Sequence, residues 1–165
     1  MPSLTRAVAA VLACCLLGGC RHVPWGGRAL PACPGPLVST LDIPGDFLWR
    51  YQVQIDSDGD VGDAAFQLVV QKRGDELVLV GIHALGAELF SVRQIGTRVD
   101  VEALPPQALP IPPENVLRDV HRLRFAASAA TPEIAWDADG KGAEIRHPGC
   151  GYRARFRLLE ERDLP

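Results

Sequence analysis

The chain has 165 residues, 17 basic and 20 acidic, with a formal net charge of −3. That length suits one domain with a real core. A weakly acidic chain with no basic stripe excludes a nucleic-acid-binding role, and no segment beyond the first twenty residues has the roughly 20 apolar positions a membrane-spanning helix needs.

The N-terminus carries one charge, Arg6, followed by an apolar stretch from Ala7 to Leu17 and then Leu17-Gly18-Gly19-Cys20. A basic start, a short apolar middle and small residues at the cut are the layout of a secretory signal over residues 1–19. Leu-Gly-Gly-Cys resembles the bacterial lipobox, in which the cysteine becomes the acylated first residue of the mature protein. Cys20 is therefore the expected lipidation site. Arg21 stands where an Asp would signal inner-membrane retention, so the expected destination is the periplasmic face of the outer membrane. Removing residues 1–19 takes away one charged side chain, so 16 basic and 20 acidic residues leave the remainder at −4.

Residues 20–46 read as a lipidated tether, because Pro24, Gly26, Gly27, Pro31, Pro34, Gly35, Pro36, Pro44 and Gly45 break regular structure. With Cys20 acylated, Cys33 and Cys150 are the remaining thiols, and in an oxidising compartment such a pair closes into a disulfide. The free tether is then residues 21–32, spanning at most about 40 Å.

A single domain is expected over residues 47–165. From Phe47 the pattern has period two: Phe47, Trp49, Tyr51, Val53 and Ile55 alternate with Leu48, Arg50, Gln52 and Gln54, as in a half-buried strand. Turn residues at 56–60 separate it from Ala65–Lys72, where Phe66, Leu68 and Val70 share a face. A further turn at Arg73-Gly74-Asp75 leads to the apolar run Glu76–Ile82, then Ala87–Gln94 and Arg98–Leu104. Short connections make neighbours antiparallel, so five strands in a meander are expected.

The proline-rich stretch Leu104–Pro113 breaks the pattern, and Pro113 with Glu114 suits a helix start. Val116, Leu117, Val120 and Leu123 recur at helical spacing, with Arg118, Asp119 and Arg122 on the opposite face. This predicts a helix over 113–125. Trp136 reads as the start of a strand, and Ala143–His147 with Tyr152–Leu159 as a closing hairpin, with Glu160 and Glu161 as a solvated end. The predicted fold class is α+β, mainly β: a curved antiparallel sheet or half-barrel with one main helix across its concave face.

Little in the chain points to chemistry. Asp56, Asp58, Asp60 and Asp63 begin like a calcium loop, but Val61 and Gln67 stand where that loop needs Gly and Glu. His22, His83, His121 and His147 are scattered without ligand spacing, so no metal or cofactor is expected. No nucleophile–base motif points to an enzyme.

The stretch Leu77-Val78-Leu79-Val80-Gly81-Ile82-His83-Ala84-Leu85-Gly86-Ala87-Glu88-Leu89-Phe90-Ser91-Val92, followed by Gly96-Thr97-Arg98-Val99-Asp100-Val101, resembles the leucine-glycine loop and hairpin of the lipoprotein-localisation receptor LolB. Phe47-Leu48-Trp49-Arg50 and the helical segment 115–123 are similar too. The chain is closer still to small lipoproteins encoded among aryl-polyene pigment genes, whose clusters also carry a LolA-like carrier. The likeness covers residues 47–125. It implies a half-barrel that takes up acyl chains between sheet and helix, without the additional helical lid of LolB, since residues 126–141 are short and rich in Ala, Thr, Pro and Asp. Trp49, Tyr51, Phe66, Leu68, Leu79, Phe90, Val116 and Val120 are the candidate ligand-lining residues. Leu85 is the candidate membrane-inserting residue. The implied function is to accept an amphiphilic lipid or a lipoprotein acyl chain at the outer membrane, as a monomer, in aryl-polyene lipid export, with a LolA-like carrier as partner. The alternative is an accessory lipoprotein with a solid core that binds a partner protein.

Overall fold

The computed structural model describes residues 30–58, 62–103, 109–126 and 133–165. Alternating apolar positions give eight strands: β1 (Phe47–Ser57), β2 (Ala64–Arg73), β3 (Glu76–Ile82), β4 (Glu88–Ile95), β5 (Arg98–Ala103), β6 (Glu133–Trp136), β7 (Gly142–His147) and β8 (Tyr152–Asp163). They form one open antiparallel sheet in the order β5-β4-β3-β2-β1-β8-β7-β6. The predicted five-strand meander is present as β1–β5, and the predicted closing hairpin is β7–β8. The class, mainly β with a single helix among the described residues, agrees with the sequence.

Period-two alternation places one set of side chains on one face. Tyr51 opposes Leu68, Leu68 opposes Gly81 and Gly81 opposes Phe90, a row across four strands. Phe47, Trp49, Val53, Ile55, Phe66, Val70, Leu77, Leu79 and Val92 are buried on that same face. The other face is mixed: half-buried Val69, Val78, Val80 and Ile82 lie on it beside charged pairs. Arg50 pairs with Glu160 at 3.1 Å, Arg155 with Asp56 at 2.8 Å and Glu144 at 3.0 Å, and Arg157 with Asp139 at 3.0 Å. Exposed pairs of this kind add little stability.

The apolar face is covered by helix α1 (Pro113–Arg124), which begins at Pro113 as predicted and ends one residue early, with the Phe125 amide capping the His121 carbonyl. The cations Arg122 and Arg124 in its last turn complement the negative end of the helix dipole. Val116, Leu117 and Val120 are fully buried against the sheet.

The opposite helix face is not solvated, contrary to expectation. Asp119 and Arg122 are buried. Asp119 turns to His147 and Tyr152 where β7 hands over to β8, while residues 30–38 lie along the helix: Arg118 donates to the Gly35 carbonyl at 2.6 Å and Arg122 to that of Pro34. This stretch, read as tether, is irregular as its prolines and glycines require, with one 3-10 turn at Thr40–Asp42. It is nonetheless fastened along the domain. The Leu30 amide bonds the Pro110 carbonyl at 3.0 Å, Cys33 bonds the Asn115 side chain at 2.7 Å, Val38 bonds His121 at 3.1 Å and Thr40 bonds the Gly96 carbonyl at 3.1 Å. Packing supplied from outside the helix therefore overrides its simple amphipathic pattern.

Two further details differ from the sequence reading. Trp136 ends β6 instead of beginning a strand. Glu160 and Glu161 are solvated as expected, but they lie inside β8, paired with Arg50 and Trp49 next to a β-bulge. No helix among the described residues is long and apolar enough to cross a membrane.

Candidate functional site

The eight candidate lining residues separate into two groups. Phe66, Leu68, Leu79, Phe90, Val116 and Val120 are at most 1% exposed and pack together between the sheet and α1. Phe66 and Phe90 meet edge to face, with ring centres 5.6 Å apart. These six are interior packing.

Trp49 and Tyr51 sit at the C-terminal end of α1. Trp49 stacks on Phe47 at 3.8 Å and against Phe125 at 5.7 Å. The Arg124 guanidinium lies 4.3 Å from the Trp49 ring centre and 5.9 Å from that of Tyr51, a cation–π arrangement. Beside it is a crevice of about 10 Å³ lined by Tyr51, Leu123, Arg124, Trp136, Gly140, Lys141, Ala143, Phe156 and Leu158. Trp136 and Ala143 are register partners, which puts the half-exposed Trp136 ring on the helix side of the sheet.

Electrostatically this crevice is unsatisfied. The Tyr51 hydroxyl and the Arg124 Nε are buried, and neither has a hydrogen-bond partner among the described residues. Burial pushes the Tyr51 hydroxyl up to about 12, against the opposing pull of the Arg124 charge. Arg124 lowers it through its charge and as a neighbouring donor, while Glu161 raises it. The outer guanidinium nitrogen of Arg124 pairs with Glu161 at 2.9 Å. Apolar and aromatic walls, a neutral hydroxyl donor and the cations Arg124 and Lys141 suit a polar or anionic head on an apolar body. A buried polar group without a partner costs about 1–3 kcal/mol, so a ligand atom there would be favoured. Spacing in the sequence gave no sign of Arg124, Trp136 or Lys141, which only the sheet order brings beside Tyr51.

Leu85 lies in the turn between β3 and β4. Its backbone is set by the His83 amide bonding the Ala87 carbonyl, the Gly86 amide bonding the His83 carbonyl, both at 2.8 Å, and a positive φ of 86° at Gly86. Leu85 does not fold back onto the core: it is 89% exposed. Ser57 and Tyr152 are register partners at the end of the sheet toward which β3 runs into this turn. Cys150 and Gly151 precede Tyr152, and the Leu30 side chain lies against Gly151. The chain leading back to Cys20 thus enters the domain at the end that presents Leu85. Cys20 itself lies outside the described residues.

Cys33 and Cys150 form the expected disulfide, with Cα atoms 5.7 Å apart. Next to it is a buried cluster that the sequence did not reveal. Asp119 Oδ1 accepts from Arg122 at 2.8 Å and from His147 Nε2 at 2.9 Å, and Oδ2 accepts from the Tyr152 hydroxyl at 3.1 Å. Burial and the Asp119 charge push the Tyr152 hydroxyl up. The other ring nitrogen of His147, Nδ1, is 3.6 Å from Cys33 Sγ. In the acidic turn, Asp56 pairs with Arg155 and Asp63 accepts from the Ser57 amide; Asp60 lies outside the described residues.

No curated protein matches the chain. Residues 49–163, well over half of the sequence, match the profile of a family described as "Protein of unknown function (DUF3261)"; the chain belongs to that family.

Proposed function

We propose that the protein is an outer-membrane lipoprotein, anchored through acylated Cys20, that accepts an amphiphilic lipid or acyl chain at the crevice beside α1. The observation that carries this reading is the buried, partnerless Tyr51 hydroxyl next to Arg124 within walls of Trp136, Phe156 and Leu158. The head group of the cargo bonds Tyr51 and Arg124, and its apolar part lies along Phe156 and Leu158. The crevice holds about one water as it stands, so entry moves the half-exposed Trp136 ring outward. Each methylene then buried contributes about 0.8 kcal/mol. Leu85, at the sheet end where the anchor segment enters, dips into the bilayer and lowers the barrier to transfer. The half-barrel resemblance to LolA and LolB, an aryl-polyene lipid as cargo and a LolA-like donor are parts of the same proposal.

The test is mass spectrometry of lipids that co-purify with the chain lacking Cys20, with titration of palmitate followed by Trp fluorescence. The reading requires a bound amphiphile and a fluorescence change lost in Trp136→Ala. Absence of both rejects it. A second reading, an accessory lipoprotein that binds a partner protein, is favoured by the dense packing of Phe66, Leu68, Leu79, Phe90, Val116 and Val120. It calls for no uptake of lipid or apolar dye.

A further inference from the structure

We propose that Cys33, Cys150 and His147 form a zinc-binding site when the disulfide is reduced. The three donor atoms already lie within 4.8 Å of one another. In a tetrahedral site with Zn–S near 2.3 Å and Zn–N near 2.0–2.1 Å, a sulfur and a nitrogen ligand stand about 3.6 Å apart. That is the observed separation of Cys33 Sγ and His147 Nδ1, 3.6 Å. The two sulfurs need a separation of about 3.8 Å on the same geometry. Cys33 lies in irregular chain and Cys150 in a turn, so side-chain rotation supplies it without disturbing the sheet.

The surroundings of His147 fit the same assignment. Asp119 accepts from its Nε2 at 2.9 Å, which puts the proton there and leaves the Nδ1 lone pair facing sulfur. A ligating histidine held by a carboxylate through its other nitrogen is the usual outer support of a metal site. Asp119 is itself fixed by Arg122 and Tyr152. Charge also balances: the Asp119–Arg122 pair is neutral, and two thiolates with Zn2+ and a neutral imidazole are neutral as well. Burying that assembly avoids the cost of an unpaired charge. Three protein ligands leave a fourth position for water or an exogenous group.

The chemistry has two steps. A dithiol reductant attacks the half-buried Cys150 sulfur and Cys33 leaves. The reductant becomes a disulfide, and its two electrons and two protons pass to Cys33 and Cys150. Zn2+ then displaces the two thiol protons and forms two Zn–S bonds and one Zn–N bond. The protein thereby exchanges a covalent cross-link for a metal cross-link at the same place, joining the same two segments.

The experiment uses the full chain with Cys14, Cys15 and Cys20 replaced by Ser, which leaves Cys33 and Cys150 as its only thiols. It is reduced and desalted without oxygen, and then titrated with Co2+ and Zn2+. One Co2+ per chain is expected, with thiolate-to-cobalt charge-transfer absorption that Zn2+ abolishes, and no binding to the oxidised chain. Cys33→Ser or Cys150→Ser should weaken uptake at least tenfold. Asp119→Asn should retain the absorption while losing about 10–100-fold in affinity, with near-UV circular dichroism reporting separately on its fold. The proposal is overturned by a reduced, folded chain that takes up no metal, by uptake that survives Cys33→Ser, or by a reduced chain that stays unfolded with Zn2+ present.

Discussion

Gly81 faces Phe90 across the β3–β4 ladder, and the Phe90 ring occupies the space that a Cβ at Gly81 would need. Gly81 is not there for backbone freedom. It is a slot into which the ring turns to meet Phe66 edge to face. Gly81→Ala should therefore destabilise the protein by about 1–3 kcal/mol through overpacking. Adding Phe90→Leu should return part of that loss, because the two changes touch the same space. Urea midpoints of the two single variants and the double variant check this; additive losses would mean that the residues do not meet.

His121 gives the protein an acid limit. It is fully buried, accepts from the Val38 amide through Nδ1 at 3.1 Å and bonds Gln94 Oε1 through Nε2 at 2.8 Å. Burial, with a smaller push from Arg118, lowers it from 6.5 to about 4. The unfolded chain therefore takes up this proton first as pH falls. The contribution is fully present above about pH 6.5 and is lost progressively toward pH 4, in total on the order of 3 kcal/mol. Thermal midpoints measured between pH 7 and pH 4 should fall for the wild type, and the fall should be shallower for His121→Gln, which keeps one donor and one acceptor.

How much of this was legible depends on how local the signal is. β1 to β5, β7 and α1 announce themselves because period 2 and period 3.6 are written in neighbouring residues. The Cys33–Cys150 pair was legible by elimination. The pairing of β1 with β8 was not, because Phe47 and Asp163 find each other only in the folded sheet, and that pairing builds the crevice at Tyr51. Asp119 misled the helical wheel: a charge opposite an apolar stripe belongs in water unless another segment covers it, and here His147 and Tyr152 of the β7–β8 hairpin do. The lining residues were pooled because apolar strand positions look alike in sequence, whether they meet a ligand or one another.

Leu85 separates folding from membrane contact. Its side chain touches almost nothing in the domain, so Leu85→Glu should change the thermal midpoint by no more than an equivalent of about 0.5 kcal/mol. If the turn inserts in the bilayer, the same change places a carboxylate against lipid and should slow delivery of bound amphiphile to vesicles several-fold. Vesicle transfer assays on the anchored protein check it. Undiminished transfer removes Leu85 from the mechanism.

Tyr51 should show opposite effects on stability and binding. Its hydroxyl is buried without a partner among the described residues, so Tyr51→Phe removes a desolvated group and leaves the ring packed edge-on to Phe156 at 6.0 Å. Stability should rise by about 1 kcal/mol or stay level. If the hydroxyl serves a ligand head group, the same variant should bind an anionic amphiphile several-fold more weakly, and Arg124→Met should weaken it further while also losing the pair with Glu161. Thermal melts and palmitate titration read the two effects separately. A Tyr51→Phe protein that is less stable and binds no more weakly would make the hydroxyl a structural group and move the ligand elsewhere. A gain in stability coupled to a loss of affinity is expected where a polar atom is kept buried for a partner that arrives only with the cargo.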